Sequence, residues 1–317
     1  MTQQKFDRRM IPTGAALQSV SMRDGWPVRM FGWPVPAKPR GSILFLGGRG
    51  DFFEKYLESL AHWHSRGWSI TAFDWRGQGG SGRVGSDPKV GHIEHFSDWI
   101  DDLAQIYAEW QARSAGPHIV IAHSMGGHLG LRAVIERRID PAAVVLISPM
   151  LGFNTGLLPE SLAGLIVRML AARGAMDRQA WADNNQKASA VWNERHTYLT
   201  HDSARYADEV WWKQHKPELA IGPPSWQWLI EANASIKAIA APNLLEAVDI
   251  PVMIIGTDGD KLVKAKAMRQ IAARLPEAAI RMFGNDVAHE ILRERDEVRD
   301  EAIGLIDSFV DRVASRG

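Results

Sequence analysis

An α/β fold, with a mostly parallel sheet covered by helices on both faces, is predicted by three features of this sequence. Short apolar runs alternate with stretches of helical periodicity over most of the chain. Several of those runs are apolar almost throughout, as strands covered on both faces should be. A length of 317 residues suits one large α/β domain carrying an insertion.

Taken in order, VRMFGW (28–33) and SILFLG (42–47) are strand runs, followed by helical periodicity over about 53–65. SITAFD (69–74) leads through a glycine-rich loop to a helical pattern at 97–113, and HIVIAH (118–123) leads to one at 126–137. AVVLIS (143–148) is the next strand run. PVMIIG (251–256) precedes helical periodicity at 262–274, and AAIRMF (278–283) precedes a long pattern at 290–314. Strands separated by helices call for crossover connections and a parallel sheet. Between about 150 and 248 the alternation stops. Helical stretches such as SLAGLIVRMLAARG, polar tryptophan-rich segments and a GPPS turn replace the strand runs. The chain therefore divides into a first core part (1–149), a helical insertion (150–248) and a second core part (249–317).

Composition excludes several classes of function. Lys and Arg total 37 against 37 Asp and Glu, so nothing suggests tracking of a nucleic acid. The absence of cysteine removes disulfides, thiolate metal sites and cysteine nucleophiles, and fits a reducing compartment. No apolar segment follows MTQQKFDRRM, and no window of about 18 apolar residues occurs. A cytoplasmic protein is expected. No H-E-x-x-H or comparable ligand spacing is present, and neither a metal nor a cofactor is expected.

The chemistry centres on IAHSMGG. An apolar strand ends at Ser124, Gly126 and Gly127 leave room for neighbouring backbone, and HLGLRAVIERR continues as a helix. This is the context of a nucleophile elbow, although Ala122 stands where G-x-S-x-G has its first glycine. The competing reading makes Ser124 an N-cap. A nucleophilic serine needs a base and an acid, which in such a fold follow it at later strand ends. TDGDKLV after PVMIIG contains Asp258 and Asp260, and GNDVAHEIL after AAIRMF contains His289. Asp260 is preferred as the acid because KLV follows it and can start the next helix, with Asp258 as the alternative. The oxyanion donors expected are the amides of Met125 and of Arg49, the latter on a bend permitted by Gly47 and Gly48. That loop lacks GK[ST] and G-x-G-x-x-G, which argues against nucleotide binding. DWRGQGGSGR (74–83) reads as a bracing loop in which Arg76 pairs with a carboxylate.

Taken in order over roughly residues 14–313, these motifs resemble the serine α/β-hydrolases, in particular the bacterial lysophospholipase and monoacylglycerol-lipase-like group. The matching positions are Gly47-Gly48-Arg49, Asp74 to Ser81, His123-Ser124-Met125-Gly126-Gly127, Asp260-Lys261-Leu262-Val263 and His289-Glu290. GRGDFFEKY and HEILRERDEVRDEAI look particularly like bacterial lysophospholipases associated with the inner membrane. Two positions depart from the pattern: Gly47 replaces the usual histidine of the oxyanion loop, and Ala122 replaces the elbow glycine. The resemblance implies an α/β-hydrolase fold with a helical cap inserted after the sixth strand, Asp260 as the acid, and no cofactor. It implies hydrolysis of a lysophospholipid or monoacylglycerol ester through an acyl-enzyme on Ser124.

Gly48, Leu151, Phe153, Leu157, Trp192 and Trp226 are the expected substrate-lining residues. Most of the clustered tryptophans are expected to pack the cap on the core. Transient contact with a membrane or micelle is expected, with SLAGLIVRMLAARG as its candidate helix. Two rival functions remain: a peptidase or amidase releasing an N-terminal proline, for which Glu194, Asp202, Asp208 and Glu209 could bind the substrate amine, and a non-catalytic binding protein.

Overall fold

The computed structural model describes residues 6–36, 38–154, 176–180 and 196–315, together with Met169. Among the described residues eight strands form one sheet: β1 Ala16–Ser21, β2 Pro27–Trp33, β3 Gly41–Leu46, β4 Trp68–Phe73, β5 His118–His123, β6 Ala143–Ile147, β7 Val252–Thr257 and β8 Ala278–Phe283. Their spatial order is β1-β2-β4-β3-β5-β6-β7-β8. β1 and β2 are antiparallel to their neighbours, and all other pairs are parallel.

Each of the seven apolar runs is a strand, displaced by a residue at most. β1 is the strand that the runs do not reveal. ALQSVS is exposed at five of its six positions, so no apolar pattern marks it. It is held instead by an antiparallel backbone ladder from Ala16↔Gly32 to Ser21↔Pro27. With β1 counted, AVVLI becomes the sixth strand, and the helical insertion leaves the sheet after it.

The described helices of two turns or more are α1 Leu57–Ser65, α2 Phe96–Arg113, α3 Ser124–Ile135, α4 Ser203–His215, α5 Trp226–Ile239, α6 Ala265–Ala272 and α7 Asp296–Ala314. α6 begins later than its periodicity suggests because the amides of Leu262 and Val263 donate to Asp260 Oδ1 at 2.8 and 3.0 Å, which holds residues 262–264 out of the helix. α7 likewise starts at Asp296. Before it, Ile291–Arg293 form a single 3₁₀ turn, and Thr200 Oγ1 donates to the carbonyl of Arg293 at 2.6 Å.

Successive strand residues supply two separate cores. Leu44, Leu46, Val120, Ala122, Val144, Leu146 and Ile254 pack with α2, α3 and α6. Ile43, Phe45, Ile119, Ile121, Val145, Ile147 and Ile255 pack with α1 and α7 on the other face. Burial of each such side chain contributes about 1.5–3 kcal/mol, which accounts for the near absence of polar residues in the central strands. The parallel arrangement also brings the ends of β3, β5, β7 and β8 to one edge of the sheet.

Ile121 is fully buried and Leu17 is 43% exposed. Ile121→Ala is expected to cost about 2–5 kcal/mol in urea unfolding, whereas Leu17→Ala on β1 should stay within about 0.5 kcal/mol of the parent. Equal losses at the two positions would contradict this account of the core.

Candidate active site

β5 runs directly into α3 at Ser124, whose φ of +51° lies in the left-handed region. A non-glycine residue held there costs roughly 1–3 kcal/mol, so the surroundings must enforce the turn. They do so by close packing. A Cβ built on Gly126 would lie 2.6 Å from the Leu46 carbonyl oxygen and closer still to that of Gly47, and one on Gly127 would lie 3.0 Å from Pro149 Cβ. The methyl of Ala122 is fully buried. It faces α3 at Gly130, where an added Cβ would stand 3.8 Å away. The extra carbon is therefore accommodated as ordinary packing.

His289 Nε2 lies 2.9 Å from Ser124 Oγ, and His289 Nδ1 lies 2.6 Å from Asp260 Oδ2. The other oxygen of Asp260 accepts the two amides of its own turn. Asp258 is in a different environment: it is exposed and forms a bidentate pair with Arg269 at 2.7 and 2.8 Å. Thr257 joins the two loops, because its hydroxyl donates to Gly284 O at 2.7 Å and lies 3.0 Å from Val287 O. Asn154 Nδ2 donates to Asp260 O and Val263 O at 2.8 and 3.0 Å, tying the acid loop to the start of the insertion.

Burial opposes the charged form of both groups in this pair. The neighbouring Asp260 carboxylate outweighs it for His289, whose pKa lies above the ordinary histidine value. For Asp260, His289 and the amides of Leu262 and Val263 hold the carboxyl below the usual range. With Asp260 accepting at Nδ1, the neutral form of the ring carries its proton on Nδ1 and presents an unprotonated Nε2 to the Ser124 hydroxyl.

The loop after β3 lies against the serine, since a Cβ on Gly48 would be 2.9 Å from Ser124 Cβ. Arg49 directs its guanidinium to Gly222 O and over the ring of Trp228, 5.6 Å from its centroid. The 74–83 loop braces this region. Trp75 Nε1 donates to Gly47 O at 2.8 Å, Gly50 N donates to Gln78 Oε1 at 2.6 Å, and Gln78 Nε2 lies 3.9 Å from Met125 Sδ. Arg76 pairs with Asp102 and Asp24.

Of the expected lining residues, Gly48 is therefore beside Ser124. Phe153 is half-buried, with its ring 6.1 Å from that of Trp228. Leu151 is buried in the core, and Trp226 begins α5, where its amide donates to Arg178 O at 3.1 Å. Leu157, Trp192, Glu194 and most of SLAGLIVRMLAARG lie outside the described residues. Asp51, Lys55, Asn154, Thr257 and Glu294 were not legible as part of this region. Each makes a contact with a residue distant in sequence, Asp51 with His123 as well as with nearby Gly48, and only the GRGDFFEKY stretch drew attention to the first two. Ser225 Oγ also meets a histidine, His92 Nδ1 at 2.8 Å, but this serine is fully buried and caps α5. Among the described residues no cluster of His, Asp or Glu is arranged to hold a metal ion.

Residues 37–296 match the family model described as Serine aminopeptidase, S33. The chain is 27% identical over 277 residues to a probable lysophospholipase L2 of Haemophilus influenzae, covering 86% of this chain and 84% of that one. It is 27% identical over 280 residues to lysophospholipase L2 of Escherichia coli K12, with coverage of 85% and 80%. A monoacylglycerol lipase of Mycolicibacterium smegmatis is 23% identical over 282 residues, with coverage of 88% and 92%. The fold is similar to that of a soluble variant of monoglyceride lipase from Saccharomyces cerevisiae, with a TM-score of 0.74, 17% identity and coverage of 98% and 100%.

In an NMR titration, His289 is expected to have its midpoint above the ordinary 6.5. Asp260→Asn removes the largest of the charges that raise it and leaves burial, which lowers it, opposed only by the more weakly acting Glu290 and Asp51, so the midpoint should fall. An unchanged midpoint would contradict the pairing described.

Proposed function

The chain belongs to the Serine aminopeptidase, S33 family of serine α/β-hydrolases and is closely related to bacterial lysophospholipase- and monoacylglycerol-lipase-like enzymes; from that premise we propose that it hydrolyses monoacyl lipid esters, lysophospholipids or monoacylglycerols, through an acyl-enzyme on Ser124. The observation that carries this reading is the chain of contacts from Ser124 Oγ through His289 to Asp260, at 2.9 and 2.6 Å.

In the proposed mechanism His289 Nε2 takes the hydroxyl proton as Ser124 Oγ bonds to the ester carbonyl carbon. The amides of Met125 and Arg49 stabilise the oxyanion. Asp260 stabilises the imidazolium and fixes its orientation. Collapse breaks the bond to the alcohol oxygen, which leaves with the proton from His289. Water then gives a proton to His289 and adds to the acyl carbon. Return of that proton to Ser124 Oγ accompanies release of the carboxylic acid. No cofactor enters this cycle.

Residues 150–248 form the cap in this reading, with Phe153 on the acyl side and Leu151 supporting it from the core. Contact with a membrane or micelle is transient: among the described residues no helix is long and apolar enough to cross a membrane. A cytoplasmic location belongs to the same reading.

An aminopeptidase needs a carboxylate available to the substrate amine. Asp202 is paired with Arg205, Asp208 with Arg8 and Arg9, and Glu209 with Lys55, Lys213 and Arg293. These pairings favour the ester hydrolase.

A fluorophosphonate should label wild-type Ser124, and lysophospholipid or monoacylglycerol should be turned over in preference to a proline amide. Preference for the amide over every ester would reject the lipase-like reading. Asp260→Asn is expected to lower kcat by up to about 10⁴-fold, while Asp258→Asn, which loses only the surface pair with Arg269, should retain wild-type turnover. The opposite pattern would reassign the acid.

A further inference from the structure

Gly47 and Gly48 offer no side chains to hold the loop after β3, so its conformation must come from bonds to its backbone. Trp75 takes Gly47 O and Gln78 takes Gly50 N, as described above. The remaining anchor is Asp51, whose Oδ2 accepts from Gly48 N at 2.7 Å and from Tyr56 OH at 2.8 Å, and lies 3.1 Å from His123 Nδ1. Its Oδ1 is paired with Lys55 Nζ. His123 Nδ1 also lies 2.9 Å from Tyr56 Oη, so the Gly48 amide shares Oδ2 with the tyrosine–histidine pair while Lys55 takes Oδ1. Lys55 in turn reaches Glu290 Oε1 at 2.8 Å and Glu209 Oε2 at 3.2 Å. All of these side chains are at least 95% buried.

We propose that Asp51 is a positioning residue for the oxyanion site: by accepting the Gly48 N–H, with its second oxygen tied to Lys55, it fixes the backbone of Gly48 and thereby the direction of the following peptide, whose N–H belongs to Arg49. This rests on the reading of Ser124 as nucleophile and of the Arg49 amide as a donor. The anchored amide immediately precedes the proposed donor, and a Cβ on Gly48 would meet both Asp51 Oδ2 and Ser124 Cβ at 2.9 Å. Loop, anchor and serine are therefore packed together without slack. Burial opposes a charged Asp51, but Lys55 and His123 outweigh it and hold its pKa well below the usual carboxylate value. Lys55 extends the same constraint to Glu290, the residue after His289, and to Glu209 on α4.

The test uses the full-length protein and a soluble substrate, p-nitrophenyl butyrate. Asp51→Asn is expected to lower kcat at least about tenfold, since loss of an oxyanion donor costs about 10²–10³-fold, with KM changed less than about twofold. A trifluoromethyl ketone, whose adduct places an oxyanion in the same position, should bind Asp51→Asn more weakly by the same factor as the loss in kcat/KM. The low-field NMR resonance of the His289 Nδ1 proton should persist. A kcat for Asp51→Asn within about twofold of wild type overturns the proposal, as does loss of the His289 resonance, which would move the defect to the triad. Asp51→Leu/Lys55→Met removes one negative and one positive charge together, which guards against misfolding, and also removes the acceptor that an Asn side chain could still offer to Gly48 N. It should show the same kcat loss, and recovery of wild-type kcat would mean that Asp51 only balances Lys55, which also overturns the proposal. If wild-type protein neither turns over esters nor labels with fluorophosphonate, the underlying reading of Ser124 fails first, so the two failures are distinguishable.

Discussion

The turn at Ser124, with φ of +51° and α3 pressed against the backbone of β3, is the constraint from which the rest of the site follows. A serine does not adopt that conformation without enforcement. Gly126 lets α3 approach the carbonyls of Leu46 and Gly47, and Gly48 lets the next loop touch the serine itself. With the turn and the loop locked together, the hydroxyl stands 2.9 Å from His289 Nε2. The other groups need only reach it, and the parallel strands deliver them to the same edge of the sheet.

Around this turn the protein buries an unusual amount of charge. Asp51, Lys55, Glu209, Glu290 and Arg293 are all buried, and their pairs link the loop after β3, the loop after β8 and helix α4. Such pairs are poor evidence for stability, because desolvation can cancel the Coulombic gain. Their effect is geometric. The cations are shared, Lys55 among Asp51, Glu209 and Glu290 and Arg293 between Glu209 and Glu290, so displacing one element weakens pairs made by the others.

Backbone contacts join the insertion to the site as well. The amides of His289 and Glu290 donate to Tyr198 O and Leu199 O at 3.1 and 2.7 Å. Buried Glu294 accepts Ala288 N at 2.9 Å and meets His201 Nδ1 at 2.6 Å. The loop carrying the histidine is thus held from the insertion side by residues 198–201 and from the core side by Thr257. The N-terminal segment contributes through Arg8 and Arg9, which pair with Asp208 on α4. The described part of the insertion is attached at several points to the machinery it adjoins.

By itself the sequence determined the seven apolar strands, the crossover helices between them, and the placing of Ser124, Asp260 and His289 at strand ends. Those features depend on local periodicity and chain order, which a single sequence displays. It was silent on β1, because an edge strand held by a backbone ladder needs no apolar pattern. It ranked Asp260 above Asp258 only weakly; the difference lies in the Arg269 pair on one and the histidine on the other, contacts 11 and 29 residues away. Tertiary structure alone joined Asp51 to His123 and Lys55 to Glu209 and Glu290, and set Asn154 against the acid loop. Charged and amide side chains become specific only through the partner that meets them. Most of those partners come from another part of the chain, so no local pattern could have announced them.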